Sequence, residues 1–192
     1  MTPKRDIACI LAGGVSARFG PSNKLLELID GDPIIHHVIS SVKAAGYQHI
    51  AAIVSNNSEL RSAIGHDIHL IDNRHPSLGQ SFSLSLAARY ALKVHAQSLL
   101  IVLGDMPFVT PQHIKRLKAS LEGYDAVISS NGEVLSPPLL VTPSVLPEFK
   151  RLSGDEGAKR LLGGLRLSTV ITDASELRDI DYPKDLISRD LP

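Results

Sequence analysis

The sequence predicts an α/β domain with a mostly parallel sheet and helices on both faces. Three observations carry this. Short, uninterrupted apolar runs recur along the chain, amphipathic stretches separate them, and no long linker, repeat or low-complexity tract intervenes. An apolar run without polar alternation is the pattern of a strand buried on both faces, as parallel sheets require. Strands that alternate with helices in sequence imply crossover units, which build such sheets.

The first element is Ile7-Ala-Cys-Ile-Leu11, a buried strand. Pro33–Ala45 follows with Ile34, Ile35, Val38, Ile39 and Val42 at helical spacing, and Gly46 stands where a helix C-terminal cap belongs. Ile50–Val54 repeats the strand pattern. Ser81–Val94 gathers Leu84, Leu86, Ala87, Ala88 and Ala91 into a second helix, and Leu99–Leu103 is the strongest strand. Thr110-Pro111 has the form of an N-cap with proline in the first turn, opening a helix to about Leu121. Ala126–Ile128 and Leu139–Val141 are shorter strands, and Pro137-Pro138 and Gly163-Gly164 read as local turns. The whole span, 1–192, is expected to be one domain.

Composition narrows the function. Twenty Lys and Arg balance twenty Asp and Glu, so the basic surplus of a dedicated nucleic-acid binder is missing. Aromatic residues are 4% with no tryptophan, which argues against base-stacking platforms. Cys9 is alone and lies inside a strand, so neither a disulfide nor a thiolate zinc site is expected. Only six residues, Ile7 to Ala12, separate the charged start from Gly13, too few for a signal peptide or a membrane span. The expected setting is the cytoplasm.

In open α/β sheets ligands bind beyond the carboxyl ends of the strands, at the point where strand order switches. The first such segment is Leu11-Ala12-Gly13-Gly14, continuing through Arg18 to Lys24. Paired glycines let backbone N–H groups approach phosphate oxygens, and Arg18 and Lys24 add positive charge. The spacing is neither that of a Walker loop nor of a dinucleotide fingerprint, and a glycine-rich turn by itself is only a turn. The second segment is Leu103-Gly-Asp105-Met-Pro. There a carboxylate could hold Mg2+ on nucleotide phosphates, or simply cap a turn. Asp181 in Asp179-Ile-Asp181-Tyr-Pro183 is a second candidate. His36 and His37 read as packing or surface residues, the other histidines lack metal-ligand spacing, and Ser81 and Ser83 lack the partners of a hydrolase nucleophile. Asp155 either contacts a substrate or caps a helix over Glu156–Leu162.

Taken together, these segments resemble the MobA-like nucleotidyltransferases, most of all the molybdenum cofactor cytidylyltransferase branch. The family loop Leu-Ala-(Ala/Gly)-Gly-x-Ser-x-Arg-(Met/Phe)-Gly…Lys-Leu-Leu is matched from Leu11 to Leu26. Gly79, Ser83 and Leu84 match Gly-x-x-x-Ser-Leu, Asp105–Pro107 match Asp-Met-Pro, and Gly154–Lys159 match Gly-Asp-x-Gly-Ala-(Arg/Lys). Asp179–Leu186 match Asp-Ile-Asp-x-Pro-x-Asp-Leu, so the likeness runs in order over residues 7–186. Two departures stand out: Ala87 replaces a family glycine, and Leu135-Ser-Pro-Pro138 replaces Gly-x-Pro in a segment expected to face the acceptor.

The resemblance implies a single-domain, three-layer, Rossmann-like nucleotidyltransferase fold. It implies an enzyme that joins a nucleoside monophosphate to a phosphorylated acceptor, molybdopterin, with release of pyrophosphate. Leu11, Ala12, Gly13, Gly14, Arg18, Lys24, Gly79, Ser83 and Asp105 would bind the nucleotide, Arg18, Lys24 and Asp105 would act in catalysis, and Asp105 and Asp181 would hold Mg2+. Pro137 and Asp155 would lie toward the acceptor, and a molybdoenzyme or its chaperone would be the protein partner. Two other readings are a transferase for another acceptor (a sugar phosphate, methylerythritol phosphate, or molybdopterin with GTP) and a noncatalytic molybdopterin-binding chaperone. Gly13 is the guanylyl-like residue of the first loop, and its missing methyl is expected to leave room near the base. Gly79–Leu84, Lys24-Leu-Leu and Gly154–Ala158 follow the cytidylyl pattern, so the expected nucleotide is CTP.

Overall fold

The alternating runs build a seven-stranded sheet in the order β5-β4-β1-β6-β8-β7-β9. The computed structural model describes residues 5–14, 19, 23–152, 154 and 157–186. The strands are β1 (Arg5–Ala12), β4 (His49–Val54), β5 (His69–Asp72), β6 (Ala96–Leu103), β7 (Ala126–Ser130), β8 (Leu135–Val141) and β9 (Leu167–Ile171). A small hairpin of β2 (Leu28–Ile29) and β3 (Asp32–Pro33) stands apart. Every strand of the large sheet except β8 runs in one direction.

Burial on both faces follows from the layers. Along β1, Ala8, Ile10 and Ala12 point to one side, and Ile7, Cys9 and Leu11 to the other, as alternation across a strand requires. The first side packs against α1 (Ile34–Ala44), α2 (Ser58–Ile64) and α4 (Pro111–Ala119), through Ile35, Val38, Leu60, Ile114 and Leu117. The second packs against α3 (Gln80–Lys93) and the 3-10 segment Pro143–Arg151, through Leu84, Ala88, Val145 and Phe149. Each fully buried aliphatic side chain contributes about 1.5–3 kcal/mol, so these two clusters supply the main driving force. Cys9 is buried in the second cluster, and that burial pushes its thiol up to about 12, which leaves it inert.

All but one of the expected strands and helices are present. Thr110 Oγ1 accepts from His113 N at 3.2 Å, and Gly46 follows α1 with φ 97°. Two expectations are corrected. The Pro137-Pro138 pair is not a turn but lies near the start of β8, whose pairing with both β6 and β7 holds it extended. The helix expected over Glu156–Leu162 is a 3-10 segment, Ala158–Gly164, which also takes in the Gly163-Gly164 pair. Among the elements that go unpredicted are α2, opened by Asn57 Oδ1 accepting from Leu60 N at 2.7 Å, the small β2–β3 hairpin, and the edge strands β5 and β9. The edge strands are short and half-exposed, so their apolar signal is weak.

The chain runs outward from β1 through β4 to β5, then returns to the other side of β1 as β6. The order therefore reverses between β1 and β6, and a ligand site is expected at their carboxyl ends.

Candidate active site

Gly104 welds the two strand ends together. Its N–H donates to Leu11 O at 2.9 Å. A Cβ there would stand 3.2 Å from that same oxygen and from Leu25 Cδ1, and 3.3 Å from Ile35 Cδ1. A side chain there would have to push these neighbours by a few tenths of an ångström, and the close approach sets the next residue, Asp105, beside the end of β1. Ile180 N donates to Asp105 O at 2.9 Å, so the backbone of Asp105 also anchors the segment that carries Asp181.

Lys24 joins these pieces. It begins the short 3-10 turn Lys24–Leu26, which is capped by Asn23 Oδ1 accepting from Leu25 N at 3.0 Å. Its Nζ lies 2.6 Å from Asp105 Oδ2 and 3.1 Å from Asp181 Oδ1. Burial works against the ammonium, but Asp105 and then Asp181 outweigh it and hold the Lys24 pKa above the ordinary lysine value. Asp179 adds a third acid nearby. Its carboxyl is pushed up by burial first and then by the charges of Asp105 and Asp181. Asp105 Oδ1 is buried without a hydrogen-bond partner among the described residues.

A cleft of about 380 Å³ opens over these groups, lined by Leu11 to Gly14, Lys24, Asp105, Gly79, Gln80 and Ser83 among others. Its far wall is the start of α3. Gly79 takes φ 80°, a left-handed backbone that favours glycine, and the helix has no side-chain cap. The first turn of α3 thus faces the cleft, and a helix N-terminus favours anionic groups. Behind this wall Asn73 is buried, donates through Nδ2 to Ser83 Oγ at 3.1 Å and accepts from His75 N at 2.9 Å. The methyl that Gly13 lacks would meet Asn73 Nδ2 at 3.3 Å. It would therefore press on the Asn73–Ser83 pair rather than occupy open space.

The structure thus gathers Leu11, Ala12, Gly13, Gly14, Lys24, Gly79, Ser83 and Asp105 around one cleft, with Asp181 joined through Lys24. Arg18 and Asp155 lie outside the described residues. Pro137 is in β8, two residues before Leu139, which pairs with Ile101 of β6. Because β8 is antiparallel, its beginning lies at the edge where β6 ends. Sequence reasoning missed Asn73, Gln80, Gly104 and Asp179. Asp179 lies inside a quoted motif, whereas Asn73 carries no local signal.

His36 Nε2 pairs with Ala63 O and His37 Nε2 with Ile29 O, both at 2.9 Å, which makes them packing residues. Among the described residues no three or more His, Cys, Asp or Glu form a metal-holding group, and no helix is long and apolar enough to cross a membrane. A divalent cation nonetheless suits the acids. Asp105 and Asp181 share one ammonium, and these two carboxylates are hard oxygen donors that leave further positions to phosphate oxygens and water.

The sequence matches the MobA-like NTP transferase domain over residues 8–170. The chain belongs to the MobA-like NTP transferase family. It is 30% identical to the purine catabolism protein PucB of Bacillus subtilis, over 93% of both chains. It also resembles the bifunctional protein GlmU of Bartonella bacilliformis at 24% identity, over 95% of this chain but only 45% of that protein. Among solved structures, a nucleotidyl transferase from Methanothermobacter superposes with a TM-score of 0.83 at 24% identity, covering 96% of this chain and 95% of that one. Rv0371C from Mycobacterium tuberculosis, in complex with manganese, gives 0.78 at 19% identity, over 95% and 96%. The structural likenesses show the shared fold, an α/β nucleotidyltransferase architecture. This MobA-like transferase is a nucleotidyltransferase that works on a nucleoside triphosphate.

Proposed function

We propose that this transferase moves CMP from CTP to a phosphate of molybdopterin in a Mg2+-dependent reaction in the cytoplasm and releases pyrophosphate. The observation that carries the reading is Lys24 placed between Asp105 and Asp181, beside a cleft walled by Gly13, Gly14 and the start of α3. In such a transfer an acceptor phosphate oxygen attacks the α-phosphorus, and the bond to the bridging oxygen of the β-phosphate breaks. The attacking oxygen is already anionic at neutral pH, so the site needs positioning and charge neutralisation rather than a general base. A divalent cation held by Asp105 and Asp181 would supply electrophilic neutralisation of the phosphates.

The chain's own groups do the rest. Lys24, with Arg18, binds the triphosphate, the glycine backbone of residues 13 and 14 admits it closely, and the first turn of α3 with Gly79 and Ser83 faces the nucleoside. We assign acceptor contact to Pro137 and Asp155, and a molybdoenzyme or its chaperone takes the product. The choice of CTP rests on the three cytidylyl-like segments. That of molybdopterin rests on the family branch that the motifs resemble.

Turnover of labelled CTP and GTP against a panel of phosphorylated acceptors, with and without EDTA, tests this. Pyrophosphate release with CTP and molybdopterin, abolished by EDTA, is the expected result. Good use of GTP with no use of CTP overturns the nucleotide choice, and turnover only with a sugar phosphate overturns the acceptor.

A further inference from the structure

The arrangement of Lys24 has a consequence for the order in which ligands enter, and it rests on the proposal that Asp105 and Asp181 hold the metal. Of the two oxygens of Asp105, Oδ1 is buried, and Oδ2 is taken by the Lys24 ammonium at 2.6 Å. The same ammonium holds Asp181 Oδ1 at 3.1 Å. A cation arriving between these acids from the cleft therefore meets a cation already there. Two positive charges at such spacing repel strongly in a partly dehydrated site, so metal and ammonium cannot both sit between the acids at full strength.

A triphosphate changes that balance. Lys24 lines the cleft as well as touching the acids, so phosphate oxygens entering beside Gly13 and Gly14 offer the ammonium an alternative anionic partner. The four-carbon stem of lysine lets the charge swing without backbone movement. We infer that Lys24 is a latch: it occupies the metal position in the nucleotide-free enzyme, and the triphosphate withdraws it, so the site takes the cation only as a metal–triphosphate complex.

The test is Mn2+ binding to the full chain, followed by electron paramagnetic resonance, in four proteins: wild type, Lys24→Met, Lys24→Gln, and Lys24→Met combined with Asp105→Asn. Each is titrated without nucleotide and with an α,β-methylene nucleoside triphosphate, and thermal melting confirms folding. Without nucleotide, both single variants should bind Mn2+ roughly tenfold or more tightly than wild type, because a competing charge is gone. The double variant should lose that gain. Wild type should recover tight Mn2+ binding when the analogue is present. If either folded single variant binds Mn2+ no better than wild type while the wild-type ternary complex still forms, the latch is overturned and the metal site stands. If the tightened binding survives Asp105→Asn, the latch is overturned, since the gain then arises elsewhere. If no protein binds Mn2+ even with the analogue, both the latch and the metal assignment fall.

Discussion

The two halves of the sheet spend their polar groups differently at the same edge. On the β4-β1-β6 side, strand ends give way to Gly13, Gly14 and Asp105, and the buried Asp105 Oδ1 keeps no protein partner among the described residues. On the β8-β7-β9 side, the buried polar groups bond to one another. His113, fully buried on α4, pairs through Nε2 with Ser129 Oγ at 2.7 Å and through Nδ1 with Arg116 Nη2 at 3.1 Å. Ser129 Oγ in turn donates to Pro138 O at 3.0 Å, and Arg116 reaches Thr172 Oγ1 at 3.1 Å. Asn131 Oδ1 accepts from Val134 N at 2.8 Å and closes its own turn. The difference teaches that one half is built to finish its bonds with a ligand and the other to hold its shape. An unsatisfied buried acceptor costs about 1–3 kcal/mol, and at the cleft that cost falls on Asp105 Oδ1.

The sharpest way to break this contrast is Asp105→Asn. The amide keeps the shape but loses the charge, and we expect turnover to fall ~100-fold or more with the melting temperature nearly unchanged. Near-wild-type turnover from folded protein would remove Asp105 from the site. Lys24→Ala comes next: triphosphate affinity, read by calorimetry, should drop roughly tenfold as one charge-assisted contact is lost. Arg18→Ala should act in the same direction. Unaltered binding in both variants would reduce the first loop to a simple turn.

On the other half, His113→Ala should cost about 1–3 kcal/mol in urea denaturation, because Ser129 and Arg116 lose a shared partner, while turnover per folded molecule holds. The same residue gives a pH test. Burial, joined by the Arg116 charge and opposed by Glu176, holds the His113 pKa below its ordinary value of 6.5. The unfolded chain therefore takes up a proton more readily than the folded one. His113 contributes its full stability above about pH 6.5, and that contribution is lost as pH falls from there through the depressed folded value. The slope should shrink in His113→Gln, and an unchanged slope would assign it to other groups. The smallest effect is expected of Gly13→Ala. The new methyl pushes Asn73 by a few tenths of an ångström and costs about 1 kcal/mol. CTP use should persist while any GTP use declines, and loss of CTP use would show that Asn73 and Ser83 cannot yield.

Much of this protein is written locally. The apolar runs at Ile7–Leu11, Ile50–Val54 and Leu99–Leu103 have to be buried strands, and Thr110-Pro111 and Gly46 mark helix ends, because periodicity and capping act between near neighbours. The alternation of elements then places Gly13, Gly14 and Asp105 at strand ends, where α/β sheets bind ligands. The tertiary structure alone decided that β8 runs against its neighbours, which puts Pro137 in a strand at the sheet edge where β6 ends instead of in a turn. It also brought Lys24 to Asp181, 157 positions away, and buried Asn73 against Ser83 and His113 against Ser129. No local pattern encodes such pairings. They depend on which crossover carries each strand end past the others, and a single charge or amide reads the same in sequence whether it ends in water or in an ion pair.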